Sequence, residues 1–182
     1  MKTKMKLAKI SLSIAAALGM ALTSAQASAT DGTISFTGQL VGSTCKINGN
    51  DSGTQTTVNV TLPTLSVTSL SAVGSTAGVT PFQLNLTQCS GTSAQTHFEI
   101  GSTVDSSTGA LINQTAGGSN AQIQLLNDKY QPINITTNGN SQTVAIKDGS
   151  ATMQYYAQYL AATAAANAGK VTSLVTFSMN YN

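Results

Sequence analysis

Apolar and polar residues alternate up to the last residues of this chain. Between residues 169 and 182, Val171, Val175, Phe177, Met179 and Tyr181 share one parity, with Thr172, Thr176, Ser178 and Asn180 between them. In an extended strand one parity is one face. The segment therefore reads as a core strand, since a free tail would gain nothing from such order. Residues 33–41 repeat the pattern, with Ile34, Phe36, Gly38 and Leu40 on one face and Ser35, Thr37 and Gln39 on the other. Glycine weakens a strand interior, so Gly38 marks a place where another backbone or a pocket wall comes close. This second strand needs a partner.

Six further runs read as strands: 57–62, 82–89, 97–101, 121–126, 142–146 and 153–160. Their spacing, with Gly, Asn, Asp and Ser between them, predicts an all-β sandwich or barrel. Met153, Tyr155, Ala157 and Tyr159 share a parity and are expected to fill core. Asn138-Gly139-Asn140 and Asp148-Gly149 tolerate positive φ and predict hairpin turns. Residues 48–55 and 102–120 are polar and aperiodic, which predicts surface loops that tolerate change and hold no chemistry. Residues 161–168 are Ala-rich but too short for a stable isolated helix, so a connecting loop or single turn is expected.

The N-terminus is a different kind of sequence. Lys2, Lys4, Lys6 and Lys9 precede an apolar run from Ile10 to Leu22, and Ala25-Gln-Ala27 and Ala27-Ser-Ala29 offer two cleavage sites. Residues 1–29 are predicted to be a secretory signal peptide, with cleavage after Ala27 or Ala29. Its removal takes four of the eight lysines and leaves all six acidic residues, so the mature net charge is −2 rather than the precursor's +2. With no Arg and only Lys46, Lys129, Lys147 and Lys170 left, no basic patch can form, and nucleic acid is not an expected partner. The remaining length suits one domain that needs no second core.

Cys45 and Cys89 are the only cysteines. In an exported chain such a pair is expected to form a disulfide, contributing about 4 kcal/mol on a chain-entropy model. No metal site is expected, because two sulfurs and one distant histidine make a poor ligand set. Nor is a catalytic centre: the chain has a single His, a single Glu, no phosphate-binding Gly loop and no nucleophile elbow. His97 and Glu99 share a parity and could pair on an outward strand face. Most of the aspartates fall in predicted turns, where their short side chains favour the geometry.

Taken in order, several of these segments resemble the subunits of bacterial chaperone–usher fimbriae, most of all the type 1-like major pilins. They are the run Gly32-Thr-Ile-Ser-Phe-Thr-Gly-Gln-Leu ahead of Cys45, the Thr80-Pro-Phe-x-Leu-x-Leu-x-x-Cys89 run, Tyr155-x-Ala-x-Tyr159, Gly169 near the end and the penultimate Tyr181. The resemblance implies an incomplete immunoglobulin-like sandwich that lacks its last strand, with residues 30–43 as an N-terminal donor-strand extension and 44–182 as the pilin domain. It implies that Ile34, Phe36, Gly38 and Leu40 insert into a neighbouring copy. Gly169, Val171, Val175, Phe177, Met179 and Tyr181 would form the acceptor groove and the surface read by a periplasmic chaperone. The implied partners are further copies of the same pilin, the chaperone, an outer-membrane usher and other fimbrial subunits. No cofactor is implied. The implied role is a structural shaft subunit of a cell-surface fimbrium that supports adhesion; a minor adaptor or adhesive pilin of the same system, or a self-contained exported sandwich, are the alternatives.

Overall fold

Among the described residues seven strands carry the structure: β1 (Lys46–Ile47), β2 (Thr76–Thr87), β3 (Ser93–Phe98), β4 (Gln122–Leu126), β5 (Thr143–Ala145), β6 (Ala151–Leu160) and β7 (Phe177–Tyr181). This computed structural model describes Ser35, Thr37, residues 45–51 and residues 53–182. The expected signal peptide and the four residues Ile34, Phe36, Gly38 and Leu40 lie outside the described residues. The strands form two sheets, ordered β1-β2-β6-β4 and β5-β3-β7, and every pairing is antiparallel. A single 3-10 turn, Val67–Leu70, is the helical element among the described residues. The alternation predicts a sandwich or a barrel, and the structure is the sandwich.

The two sheets meet over side chains of one parity from each strand. Leu84 and Leu86 of β2 and Met153 and Tyr155 of β6 are 0–1% exposed, and Ala94, Thr96 and Phe98 of β3 face them. Tyr155 is wedged between Phe82, stacked at 5.5 Å, and Phe98, edge-on at 5.6 Å. Burial pushes the Tyr155 phenol up to about 12, because the ionised form would lose its water. Outward residues of the same strands carry amides that pair across the ladder, with Gln83 donating to Gln154 at 2.6 Å and Gln158 to Gln124 at 2.8 Å. Pro81 sits within β2, opposite Tyr156. There β2 pairs only with β6, and a strand edge tolerates the missing N–H.

The disulfide joins Cys45 to Cys89, 44 residues apart, just outside the β1–β2 ladder. Cys45 is 1% exposed. Asp148 (φ 48°) and Gly149 (φ 70°) form the tight turn expected of them, closed by reciprocal bonds between Lys147 and Ser150. It is not a simple hairpin, because the strands it joins, β5 and β6, belong to different sheets.

Other expectations need correction. The strand expected at 97–101 is Ser93–Phe98, and the one expected at 82–89 begins at Thr76. Residues 57–62 alternate in burial but belong to no ladder. The terminal strand is assigned only from Phe177, although half-burial alternates back to Val171. Residues 161–168 form no helix. Residues 102–120 are not a dispensable loop, since Ala110 and Leu111 are buried and Leu111 exchanges both backbone bonds with Ile123. Their aperiodic sequence concealed this because the segment is anchored by single residues rather than by a repeating face.

Candidate functional site

One side of the sandwich is unfinished. Its lower wall is the terminal segment. Asn182 exchanges two backbone bonds with Ser93, and the register places Asn180 opposite Gln95 and Ser178 opposite His97. In an antiparallel ladder bonded pairs alternate with unbonded ones, so the even-numbered residues turn their N–H and C=O groups toward β3. The pattern continues beyond β3. Thr176 O accepts from Glu99 N, Leu174 O from the Thr103 hydroxyl, Thr172 O from Gln114 N and Lys170 O from Ser119 N. The odd-numbered residues from Val171 to Tyr181 must then direct their backbone groups the other way, where no strand pairs with them among the described residues.

Those same residues face the core with their side chains. Val171, Val175, Phe177, Met179 and Tyr181 are half-buried and pack against the main core cluster. A second half-buried row, Val58, Val60 and Leu62, packs against that cluster too. It alternates with exposed Thr57, Asn59 and Thr61, and among the described residues no backbone hydrogen bond ties 57–65 to a strand. Two segments thus present apolar parity to one core, 57–62 without a ladder and 171–181 paired along one flank only among the described residues. At the Gly169 end a cavity of about 420 Å3 lies between Leu70, Ala121, Tyr159, Ala166 and Val171.

The terminal residues are held by specific chemistry. The Tyr181 phenol is pushed up by burial, a shift partly offset by its hydrogen bond to the Cys45 backbone. On the outer face, Ser178 donates to Glu99 at 2.6 Å, and His97 lies 3.9 Å from the other Glu99 oxygen, both residues being close to half exposed. This is the outward pairing that the shared parity of His97 and Glu99 allows, and no further ionisable group converges on it among the residues in contact.

The structure therefore brings Gly169, Val171, Val175, Phe177, Met179 and Tyr181 onto one edge. The sequence reading missed the second half-buried row, Val58, Val60 and Leu62, which packs against the same core cluster, having placed it in an ordinary strand. It also missed Asn113, which accepts at Oδ1 from Thr172 N and Thr115 N and donates to Lys170 O and Ser119 O, all at 2.7–2.9 Å. No periodic signal marks a lone asparagine of this kind.

Known proteins carry the same architecture. A family profile described as "FimA: Type-1 fimbrial protein, A" matches residues 62–182. The chain is 46% identical over 165 residues to the major fimbrial subunit SMF-1 of Stenotrophomonas maltophilia, covering 86% of this chain and 95% of that protein. It is 40% identical over 174 residues to the F17 fimbrial protein of Escherichia coli, covering 88% and 94%. Among solved structures, a chain of a chaperone–usher pilus superposes with a TM-score of 0.59 at 20% identity, covering 84% of this chain and 96% of that one. That likeness shows the fold alone, an immunoglobulin-like pilin sandwich. The two-sheet fold and these matches together establish that the chain belongs to the type-1 fimbrial protein family and is a structural subunit of a surface fimbrium.

Proposed function

We propose that this subunit builds a fimbrial shaft by donor-strand exchange, its open side receiving the N-terminal arm of the next copy. The observation that carries the reading is the row of outward-directed backbone groups from Val171 to Tyr181, all but that of Ser173 lying beside a half-buried apolar side chain. An uncovered edge of this kind invites pairing with another strand, and strand addition supplies backbone bonds and side-chain pockets together. Residues 30–43 have the required alternation, with Ile34, Phe36 and Leu40 as the inserted side chains and Gly38 where the wall stands too close for one. Burying the three larger side chains contributes roughly 5–9 kcal/mol, before the cost of ordering the arm.

Both sheets are wholly antiparallel, so an arm added beside β7 in the same sense runs from the Tyr181 end toward Gly169. Leu40 is then the inserted residue nearest the cavity beside Leu70 and Val171. Because each copy donates to one neighbour and accepts from another, the contact is heterologous and the polymer open-ended. Before assembly the edge has to be covered, which is the role of a periplasmic chaperone reading Gly169, Val171, Val175, Phe177, Met179 and Tyr181. Delivery to an outer-membrane usher completes export to the cell surface.

The test is electrophoresis of surface-sheared protein with and without boiling. A ladder that collapses only on boiling is expected from the wild type, and a truncated form lacking residues 30–41 should give none. A Gly38→Trp chain should be exported with its disulfide formed, yet not polymerise. Fibres of normal length from that variant would defeat the assignment of the arm.

A further inference from the structure

Among the described residues, the first half of the acceptor edge has no strand beside it. β3 ends at Phe98, and from Lys170 to Leu174 the place of a neighbouring strand is taken by residues 103 and 112–119. The contact is close and specific. Asn113 spans the crossing with one side chain: its Nδ2 donates to Lys170 O at 2.8 Å and Ser119 O at 2.7 Å, and its Oδ1 accepts from Thr172 N and Thr115 N, each at 2.9 Å. The Thr115 and Thr172 hydroxyls bond to one another at 2.7 Å.

Asn120 and Asn167 add a reciprocal pair, the backbone N of each donating to the Oδ1 of the other at 2.7 and 2.9 Å. Where the two segments cross, glycine meets glycine. A Cβ on Gly118 would drive into the Lys170 carbonyl, and one on Gly169 into the backbone of Ser119 and Gly118. Backbones therefore touch without intervening side chains, which leaves the edge little room to shift.

This crossing forms one wall of the 420 Å3 cavity, since Ser119, Asn167, Gly169 and Lys170 all line it. Cavity and clasp are thus one construction. Backbone bonds from Gln114 and Ser119 hold the same flank, and without the added hold of the Asn113 amide an edge paired on one flank only would sag into the open core, because its own apolar residues gain by closing over it. Keeping that space open in the empty subunit spares the incoming arm the work of reopening it, which is the benefit of pre-organisation.

We propose that Asn113 is a positioning residue for polymerisation. In this role it pins Lys170 and Thr172 to the 113–120 loop, so that the cavity at the Gly169 end stays open for one apolar side chain of a second copy's arm, Leu40. The proposal rests on the donor-strand reading and adds to it a residue that belongs to neither alternating row.

The experiment measures capture of a synthetic peptide of residues 30–43 by the full mature subunit isolated in unpolymerised form, followed by mass spectrometry. Three peptides are compared: wild type, Leu40→Ala and Ile34→Ala. Losing the Asn113 amide bonds should slow capture of the wild-type peptide about tenfold in Asn113→Ala, the scale of one or two net hydrogen bonds. The loss should shrink below about twofold with the Leu40→Ala peptide, which no longer needs the cavity, and stay near tenfold with Ile34→Ala, which inserts at the far end.

An equal loss with all three peptides, or none with any, would show Asn113 to be merely structural and overturn the proposal. If the wild-type subunit captures no peptide, the donor-strand reading itself fails, a result separable from either of those. Should Asn113→Ala not form its disulfide, Asn120→Ala, which removes only the bonds to Asn167 and Ala165, is put through the same comparison. The same dependence on Leu40 is then expected, and its absence overturns the proposal.

Discussion

The β2–β6–β4 side of the sandwich and the side bounded by residues 57–62 and 171–181 are made from similar residues in similar alternation, yet they reach different ends. In the first, β6 has a partner on each flank and its inward residues are sealed, with Met153 and Tyr155 at 0% exposure. In the second, residues of the same hydrophobicity stop at half-burial; among the described residues the backbone of 171–181 has partners on one flank only and that of 57–62 belongs to no ladder. Alternation specifies a face, and it does not specify what covers that face. One side of this protein is finished by its own chain; on the donor-strand proposal the other side is finished by another chain.

The largest effect that would sharpen this contrast is a truncation on the sealed side. Leu84→Ala should destabilise the isolated subunit by about 2–5 kcal/mol, as a cavity left in a closed core does. Denaturant titration checks it, and a loss below about 1 kcal/mol would mean that this side is also open. Alkali probes the same side. The neutral phenol of Tyr155 is favoured in the folded state, so its contribution is complete below pH 10, the ordinary value, and is lost as pH rises to about 12. The loss amounts to about 2–3 kcal/mol for this buried group. It should disappear in Tyr155→Phe when chemical-denaturation curves are compared across that pH range.

On the open side the effect should depend on assembly. Phe177→Ala is expected to cost about 1 kcal/mol in the isolated subunit, since its ring is already half wet, and markedly more in the polymer where the ring becomes sealed. Equal costs in the two states, read from melting of subunits and of fibres, would break the distinction between the faces. The smallest change is expected at the outer surface of the same strands. Glu99→Gln loses an exposed contact with His97 and should shift stability by less than about 0.5 kcal/mol, checked by thermal melting at pH 6.

Much of this was legible in the residues. Met153, Tyr155 and Ala157 declared the core face of β6, and Val171 to Tyr181 declared one continuous face although the ladder begins only at Phe177. The family resemblance then gave a meaning to the missing partner. The clasp was not legible. Asn113, Gly118 and Asn120 sit in a stretch without period, where a polar or small residue signals a loop, and only the tertiary crossing shows that Gly118 and Gly169 are small because two backbones meet there. Nor did 57–62 announce that it would lack a ladder. Val58, Val60 and Leu62 alternate like any strand, and pairing depends on neighbours that a linear pattern does not contain.

The disulfide sets how such a fibre would stretch. On the proposed assembly, tension enters each copy through its arm and reaches the folded domain at Cys45, which is bonded to Cys89 where β2 ends. Force pulling outward at residue 43 is therefore carried straight to the far side of the β1–β2 ladder and cannot peel that ladder residue by residue. The 44-residue span that the bond closes would otherwise release roughly 150 Å of extended chain at about 3.4 Å per residue. With the bond in place that slack is withheld, and a fibre under drag would have to yield between its subunits rather than within them.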